Sequence, residues 1–153
     1  MLPIPKKYYI TSGSSEGKSA LTAFDGALLK AGIGNINLLK VSSILPPEAH
    51  FTPDLELPPG ALVPTAYGSI VSTEPGETIA AAVAVGVPYE NGFGVIMELV
   101  GKFTKQEAEE RITAMVKEAF EMREMKLKEI KISAVDHKVQ KIGCAMAAAP
   151  LWY

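Results

Sequence analysis

The chain has 153 residues, a formal net charge of −2 and a single cysteine. Its length predicts one domain with a core large enough to fold without a disulfide. The small net charge gives no basic footprint for nucleic acid, and no apolar run approaches the ~20 residues of a membrane span. No signal peptide is evident at the N-terminus. We therefore predict a cytoplasmic protein with neither nucleic-acid nor membrane partners, in which Cys144 is a buried, unreactive thiol.

The start of the chain predicts a strand, a loop and a helix, over residues 8–11, 12–17 and 19–30. The loop, followed by Lys18 and Ser19, is similar to a phosphate-binding loop. That motif requires four residues between its glycines, whereas Gly13 and Gly17 have only three between them. Nucleotide binding, with Asp136 beside the magnesium, is therefore the less favoured alternative.

Asp25 falls on the apolar face that we predict for the first helix. Leu21, Phe24 and Leu28 share that face at helical spacing. A carboxylate within a buried stripe is unfavourable unless a cation or a hydrogen-bond donor meets it. Two alternatives stay open. Asp25 lies at the rim of the stripe, or it meets a guanidinium, whose planar fork pairs with both carboxylate oxygens.

Two adjacent serines, Ser42 and Ser43, lie between a predicted strand over residues 36–41 and a pair of prolines. Serines are common in turns, and a turn is the simplest interpretation of the pair taken alone. The Ser43 hydroxyl also lies beside the Ser42 carbonyl, and its attack there would convert the peptide bond into an ester. Elimination and hydrolysis would leave a pyruvoyl group in place of Ser43. The first step needs a donor for its oxyanion, such as a side-chain amide.

The rest of the chain predicts strands on either side of one long helix. The strands cover residues 61–72, with a break near Pro64, and residues 79–87, 94–101, 130–135 and 142–149. A capping box begins the helix at Thr104, and its buried stripe is predicted to be Ala108, Ile112, Met115, Ala119 and Met122. This content predicts an α+β domain with helices covering sheets.

Glu98 is the exception in an otherwise apolar strand. Strand alternation places it on the face of Ile96 and Val100. Burial raises the pKa of a carboxylic acid, which can then hold a proton near neutral pH and act as an acid. The alternative is a glutamate paired with a lysine on a wet face. His50 and His137 are predicted to be solitary, and no metal site is predicted.

Segments throughout the chain together form a more specific pattern. They include Gly-Ile-Gly-Asn-Ile-Asn at residues 32–37 and Val-Ser-Ser-Ile-Leu-Pro-Pro-Glu-Ala at residues 41–49. Further segments are residues 13–17, 23–29, 60–68, 75–79, 96–98 and 143–149. In this order, they resemble the pyruvoyl-dependent arginine decarboxylases over nearly the whole chain.

The resemblance implies one domain with a four-layer αββα sandwich, assembled as a homotrimer with active sites between subunits. It implies self-cleavage between Ser42 and Ser43, which yields residues 1–42 as a β chain and residues 43–153 as an α chain. The cofactor would be a covalent pyruvoyl group derived from Ser43. The substrate would be L-arginine, converted through a Schiff base to agmatine and carbon dioxide.

The resemblance also implies roles for individual residues. Glu98 would be the catalytic acid, Asn37 would take part in processing, and Asp25 would bind the far end of arginine. The remaining predicted substrate contacts are Gly34, Ile36, Ser42 and Ile44. Two further alternatives stay open: a pyruvoyl decarboxylase for another amino acid, and an uncleaved protein that binds arginine or a polyamine.

Overall fold

Ten strands and two helices succeed one another in the computed structural model, which describes residues 1–153. They are β1 (Lys7–Tyr8), β2 (Thr11–Glu16), α1 (Ala20–Lys30), β3 (Asn37–Lys40), β4 (Ile44–Leu45), β5 (His50–Phe51), β6 (Leu62–Ser72), β7 (Thr78–Pro88), β8 (Gly94–Gly101), α2 (Lys105–Met122), β9 (Leu127–Lys138) and β10 (Gly143–Trp152). Neither helix combines the length and the apolar character that crossing a bilayer requires.

The strands form two sheets. In the first, the order is β3-β6-β10-β1-β5, and β2 also pairs with β10. In the second, the order is β4-β8-β7-β9, with β7 antiparallel to both of its neighbours. Strands β3 and β4 therefore each lie at one edge of their sheet, and they are consecutive along the chain.

Two local predictions about these strands were wrong. The loop predicted over residues 12–17 is mostly strand β2, which pairs antiparallel with β10 from Thr11 to Glu16. The segment is polar and so has no strand pattern of its own. Its backbone is instead hydrogen-bonded to β10, which is distant in sequence. With strand in place of the loop, the phosphate-binding interpretation loses its structural basis. The predicted break near Pro64 is absent, because β6 continues through that residue beside β3.

Alternation along β7 and β10 gives the domain four layers. One face of each strand packs between the sheets, and the opposite faces pack under the helices. The residues between the sheets are Ile79, Ala81, Val83 and Val85 from β7, with Ala145, Ala147 and Ala149 from β10. The residues under the helices are Ala80, Ala82 and Ala84 beneath α2, with Cys144, Met146 and Ala148 beneath α1. The order α1, first sheet, second sheet, α2 is the predicted αββα sandwich.

Helix α1 presents a different face to its sheet from the one predicted. Ala23, Ala27 and Leu28 are buried, whereas Leu21 is 75% exposed and Asp25 is also exposed. The approach of the helix to the sheet explains the difference. A Cβ placed on Gly13 of β2 would lie 2.6 Å from the carbonyl oxygen of Ala27, so only small side chains fit at this contact.

Helix α2 begins with the predicted capping box of Thr104 and Glu107. Its buried stripe contains Val116 and Phe120 rather than the predicted Met115 and Met122. Phe120 packs where Gly86 of β7 leaves room, since a Cβ there would lie 2.6 Å from its ring.

Cys144 is buried, as predicted. Burial raises the pKa of its thiol to about 11, and the hydrogen bond with the backbone of Ile70 opposes this only in part. The thiol is therefore held in its neutral, unreactive form at neutral pH.

Glu16, at the end of β2, ties the turn between β9 and β10 to the first sheet. Its Oε2 lies 2.6 Å from Nε2 of His137, and its Oε1 accepts hydrogen bonds from the backbone of Lys141 and Ile142 at 2.7 and 3.1 Å. Desolvation raises the pKa of Glu16, but hydrogen bonds from His137, Lys141 and Gln140 outweigh it and lower the pKa to about 2. The prediction that His137 is solitary was therefore wrong, because its partner is 121 residues away in sequence.

We expect Glu16→Gln to lower the free energy of unfolding by about 1–2 kcal/mol at neutral pH, since a neutral amide accepts these hydrogen bonds more weakly. The folded-state pKa lies below the unfolded value, so the loss is complete above the unfolded pKa and shrinks as the pH falls towards about 2. Urea unfolding across acidic pH measures it. Glu118→Gln, at an exposed position of α2, is the control. A loss that grows on acidification would contradict this role of Glu16.

Candidate active site

The serine pair lies where the chain passes from one sheet to the other. Val41 extends the ladder of the first sheet, because its N–H donates to the carbonyl of Thr65 at 3.1 Å. Ser43 extends the ladder of the second sheet, because its carbonyl accepts from the N–H of Ile96 at 2.7 Å. Ser42 is exposed and is the only residue between these two anchors. The bond predicted to be cut is therefore part of a one-residue link between the sheets.

The hydrogen bonding of the pair shows whether a pyruvoyl group fits at position 43. Neither the N–H nor the hydroxyl of Ser43 has a hydrogen-bond partner, and the Ser42 carbonyl accepts no hydrogen bond. Replacing the amine and hydroxyl of Ser43 by a keto group therefore leaves no protein group without a partner. The carbonyl of Ser43, which such a change keeps, is the part that the second sheet holds. The residues present fit the group.

Glu98 lies on β8, two residues beyond Ile96, and it points into the space between the sheets. Ile96 and Val100, on the same strand face, pack in the core between the sheets, so the predicted orientation is confirmed. Two residues of strand span about 7 Å, which places Glu98 near position 43. Gly68 of β6 leaves room for it, since a Cβ there would lie 3.3 Å from Cγ of Glu98.

The environment of Glu98 favours its protonated form. The side chain is half-buried, and it takes part in no hydrogen bond or ion pair, so the wet-face pairing with a lysine is not found. Burial raises the pKa of Glu98, and the charge of Lys40 opposes the rise only in part. A carboxylic acid in this setting can donate a proton.

A mainly apolar cavity of about 330 Å³ opens beside the serine pair. Ser42 and Ile44, two of the predicted substrate contacts, line it together with Pro64 from β6. The N-terminal segment, through Leu2, and the end of the chain, through Tyr153, form its other walls. The residues on either side of Ser43 therefore border a mainly apolar cavity.

The other predicted substrate contacts lie elsewhere on the protomer. Gly34 and Ile36 line a second cavity of about 420 Å³, together with Leu29. Leu29 packs directly on Gly34, where a Cβ would meet its side chain. Asp25 lies one turn before Leu29 on the outer side of α1, whereas Glu98 lies between the sheets. From Ile36 to Ser42 the chain spans about 20 Å if it is extended.

Asn37 belongs with this second set. Its Nδ2 donates to the carbonyl of Gly60 at 3.0 Å, and its N–H donates to Ala61 at 2.8 Å. Five residues of extended chain, about 16 Å, separate it from Ser42. Within one protomer, the amide of Asn37 therefore does not face the Ser42 carbonyl. Its part in processing stays a prediction.

Reasoning from the sequence missed two features of the site. One is the backbone N–H of Ile96, which no residue type signals. The other is Gly68, whose position within a long strand is a sign of close approach by another group. For metals, no cluster of three or more His, Cys, Asp or Glu side chains suited to binding an ion is present.

The fold and this site together fit one class of protein, the αββα-sandwich enzymes with a covalently bound pyruvoyl group. Comparison with known proteins then identifies the family. The family profile described as pyruvoyl-dependent arginine decarboxylase matches residues 7–153. The chain belongs to the pyruvoyl-dependent arginine decarboxylase family, as its motifs predict.

Individual relatives agree with this assignment. The pyruvoyl-dependent arginine decarboxylase of Methanocaldococcus jannaschii is 55% identical over 151 residues, covering 98% of this chain and 92% of the relative. Proteins of the same name match from Methanococcus maripaludis, at 45% over 150 residues, and Pyrococcus abyssi, at 44% over 151 residues. These matches cover 97% of this chain and 92% and 96% of the respective relatives. The family implies a covalent pyruvoyl cofactor, and it does not favour a binding protein or a nucleotide site.

Proposed function

We propose that this chain cleaves itself between Ser42 and Ser43 and then decarboxylates L-arginine to agmatine and carbon dioxide. The observation that carries the proposal is the one-residue link between the sheets. After a cut there, residues 1–42 remain tied to the first sheet through Val41, and residues 43–153 remain tied to the second through Ser43. The two chain ends made by the cut can therefore both keep their hydrogen bonds to the sheets. The cytoplasm, predicted from the sequence, is the location that we propose for this reaction.

The chemistry divides between the group at position 43 and the side chain of Glu98. A pyruvoyl group formed at position 43 would supply a carbonyl able to hold the substrate amine and to act as an electron sink. Burial raises the pKa of Glu98, and this side chain delivers a proton to the substrate carbon that has lost its carboxylate. The apolar cavity beside Ser42 and Ile44 favours loss of a charged carboxylate as neutral carbon dioxide, because it offers the charge little solvation.

Recognition of the substrate requires a second copy of the chain. Asp25 is assigned to the guanidinium of arginine, which fits a carboxylate bidentately. Asp25, Gly34 and Ile36 form one set, and Ser42, Ile44 and Glu98 form another, on a different part of the protomer. A site that contains both sets lies between subunits of a homotrimer. Asn37 belongs to the first set, so its part in processing also requires the neighbouring copy.

The surface around Asp25 supports this assembly. Leu21 and Leu29 flank Asp25 on the outer side of α1, and their side chains are 75% and 53% exposed. Two exposed leucines on one helix face suit a contact between subunits. Asp25 between them would then be partly removed from water, which strengthens its attraction for a cation.

Maturation is tested by the intact masses of the purified protein and of two serine variants. Only the Ser43 hydroxyl attacks, so we expect Ser42→Ala to yield two fragments, as the parent does, and Ser43→Ala to remain a single chain. The larger parental fragment should have no free amino terminus and should react with a carbonyl reagent. A parent that remains intact after prolonged incubation would contradict the proposed function.

For Glu98→Gln, we expect decarboxylation of arginine to slow by about 10²–10⁴-fold, the usual contribution of a general acid. The shape of the side chain is kept and only the transferable proton is removed. Self-cleavage should continue at the parental rate, as intact mass will show. Glu90→Gln, at an exposed position, is the matched control. An undiminished rate in Glu98→Gln would remove this residue from the mechanism.

Sharing of the site is tested by mixing two impaired variants. Asp25→Asn should slow arginine turnover about ten- to a hundredfold, because hydrogen bonds to a charged group are lost. Trimers reassembled from equal amounts of Asp25→Asn and Glu98→Gln should regain about one quarter of the parental activity, since that share of the sites combines two intact residues from neighbouring subunits. The double variant, reassembled alone, is the control. No recovery on mixing would place both residues in one protomer's site.

A further inference from the structure

One atom of the serine pair is held much more firmly than the others. The carbonyl oxygen of Ser43 accepts the N–H of Ile96 at 2.7 Å, at the short end of the range for such bonds. The register of Ile44 with Val95 fixes this bond. Ile96 itself is fully buried and lies on β8, between β4 and β7. The donor is therefore in place before any cleavage takes place.

The proposed cleavage has a step in which this oxygen gains negative charge. After the Ser43 hydroxyl has attacked, Ser42 is joined to Oγ of Ser43 by an ester, and the amine of Ser43 is free. Elimination then breaks two bonds of Ser43. The Cα proton passes to solvent water or hydroxide, and its electron pair forms the Cα=Cβ bond. The Cβ–Oγ bond breaks, and Ser42 leaves as a carboxylate.

While the proton leaves, the charge on Cα spreads onto the neighbouring carbonyl oxygen of Ser43. A donor already aimed at an oxygen that gains charge stabilises the transition state, and it does so most effectively where water is excluded. Ile96 supplies such a donor. By contrast, the first step places its charge on the Ser42 carbonyl, to which no group of the protomer donates.

We infer that the backbone N–H of Ile96 is a catalytic group of maturation, which stabilises the charge on the Ser43 carbonyl oxygen during elimination from the ester. This inference rests on the self-cleavage proposed above. It assigns the donor to the second step and not to the first. The bond to Ile96 outlasts the step, because elimination and hydrolysis do not alter the carbonyl of residue 43.

The test replaces the amide between Val95 and Ile96 by an ester, through incorporation of the α-hydroxy analogue of isoleucine during translation. This removes the N–H and keeps the side chain. The matched control places the same replacement at Met97. Along a strand successive N–H groups point to opposite sides, so the N–H of Met97 faces β7 and not Ser43. Both variants lose one strand donor, and only one loses the bond to Ser43.

Maturation is followed by intact mass in denatured aliquots treated with neutral hydroxylamine, which cuts esters. A cut after Ser42 reports the ester intermediate, and the cut at the introduced ester is distinguished by its fragment masses. We expect the Ile96 replacement to accumulate the ester and to slow formation of the blocked α chain by about 10²–10³-fold. The Met97 replacement should mature at the rate of the parent.

Three results would overturn the inference: equal rates in the two replacements, accumulation of the uncut amide without ester in the Ile96 replacement, or a parental rate in that protein. A parent that never cleaves would instead defeat the proposed function, and the inference with it. A second measurement does not require the proteins with a backbone ester to fold. In Ser43→Ala, a through-hydrogen-bond coupling between the Ile96 nitrogen and the carbonyl carbon of residue 43 is expected, and its absence would also overturn the inference.

Discussion

The chain must cross between two packed sheets, and it does so through one residue. Stacked sheets lie about 10 Å apart, and a link of one residue bridges them only at their edges. Strands β3 and β4 each lie at such an edge. Val41 is hydrogen-bonded to the first sheet and Ser43 to the second, so both ends of the link are fixed. The backbone of Ser42 itself has no hydrogen-bond partner. Ser42 is exposed and forms no hydrogen bond, although the residue on each side of it is bonded to a sheet.

The rest of the fold keeps this crossing in place. Alanines on both faces of β7 and β10 let the four layers approach closely, and the sheets cannot slide without losing that packing. Glu16 adds a polar tie at the far end, between the edge strand β2 and the turn before β10. Because the sheets are closely packed, Glu98 can lie between them only where the facing strand has a small residue. Gly68 provides space for the side chain of Glu98, and burial raises the pKa of that carboxylic acid.

Sequence patterns that span only a few residues correctly predicted several helix and strand boundaries. The capping box at Thr104 located the start of α2, and the apolar run from Gly94 to Gly101 gave β8 its observed bounds. The serine pair and Glu98 could also be recognised from the sequence. The serines follow directly on a predicted strand, and Glu98 is the charged residue in an otherwise apolar strand. Each of these signals can be recognised from residues that are close together along the chain.

Features that depend on distant parts of the chain were missed. Strand β2 is polar, and only its pairing with β10 makes it a strand. The partners Glu16 and His137 are 121 residues apart. The buried face of α1 was predicted from hydrophobicity, whereas the narrow gap above Gly13 selects for small size. Size complementarity between elements cannot be derived from one element alone.

The division of the proposed substrate contacts into two sets follows from the same layering. Asp25 lies outside the first sheet and Glu98 lies inside it, so a sheet separates the two within one protomer. A substrate as short as arginine cannot bond both ends through that layer. In the proposed function either set alone is therefore incomplete: Asp25 would bind a cation without a reacting group beside it, and Glu98 would have no carboxylate beside it to select one. If subunits meet along the edge where β3 and β4 lie, the same edge that exposes Ser42 also brings in the neighbour's Asp25. Cleavage and substrate recognition would then depend on one surface.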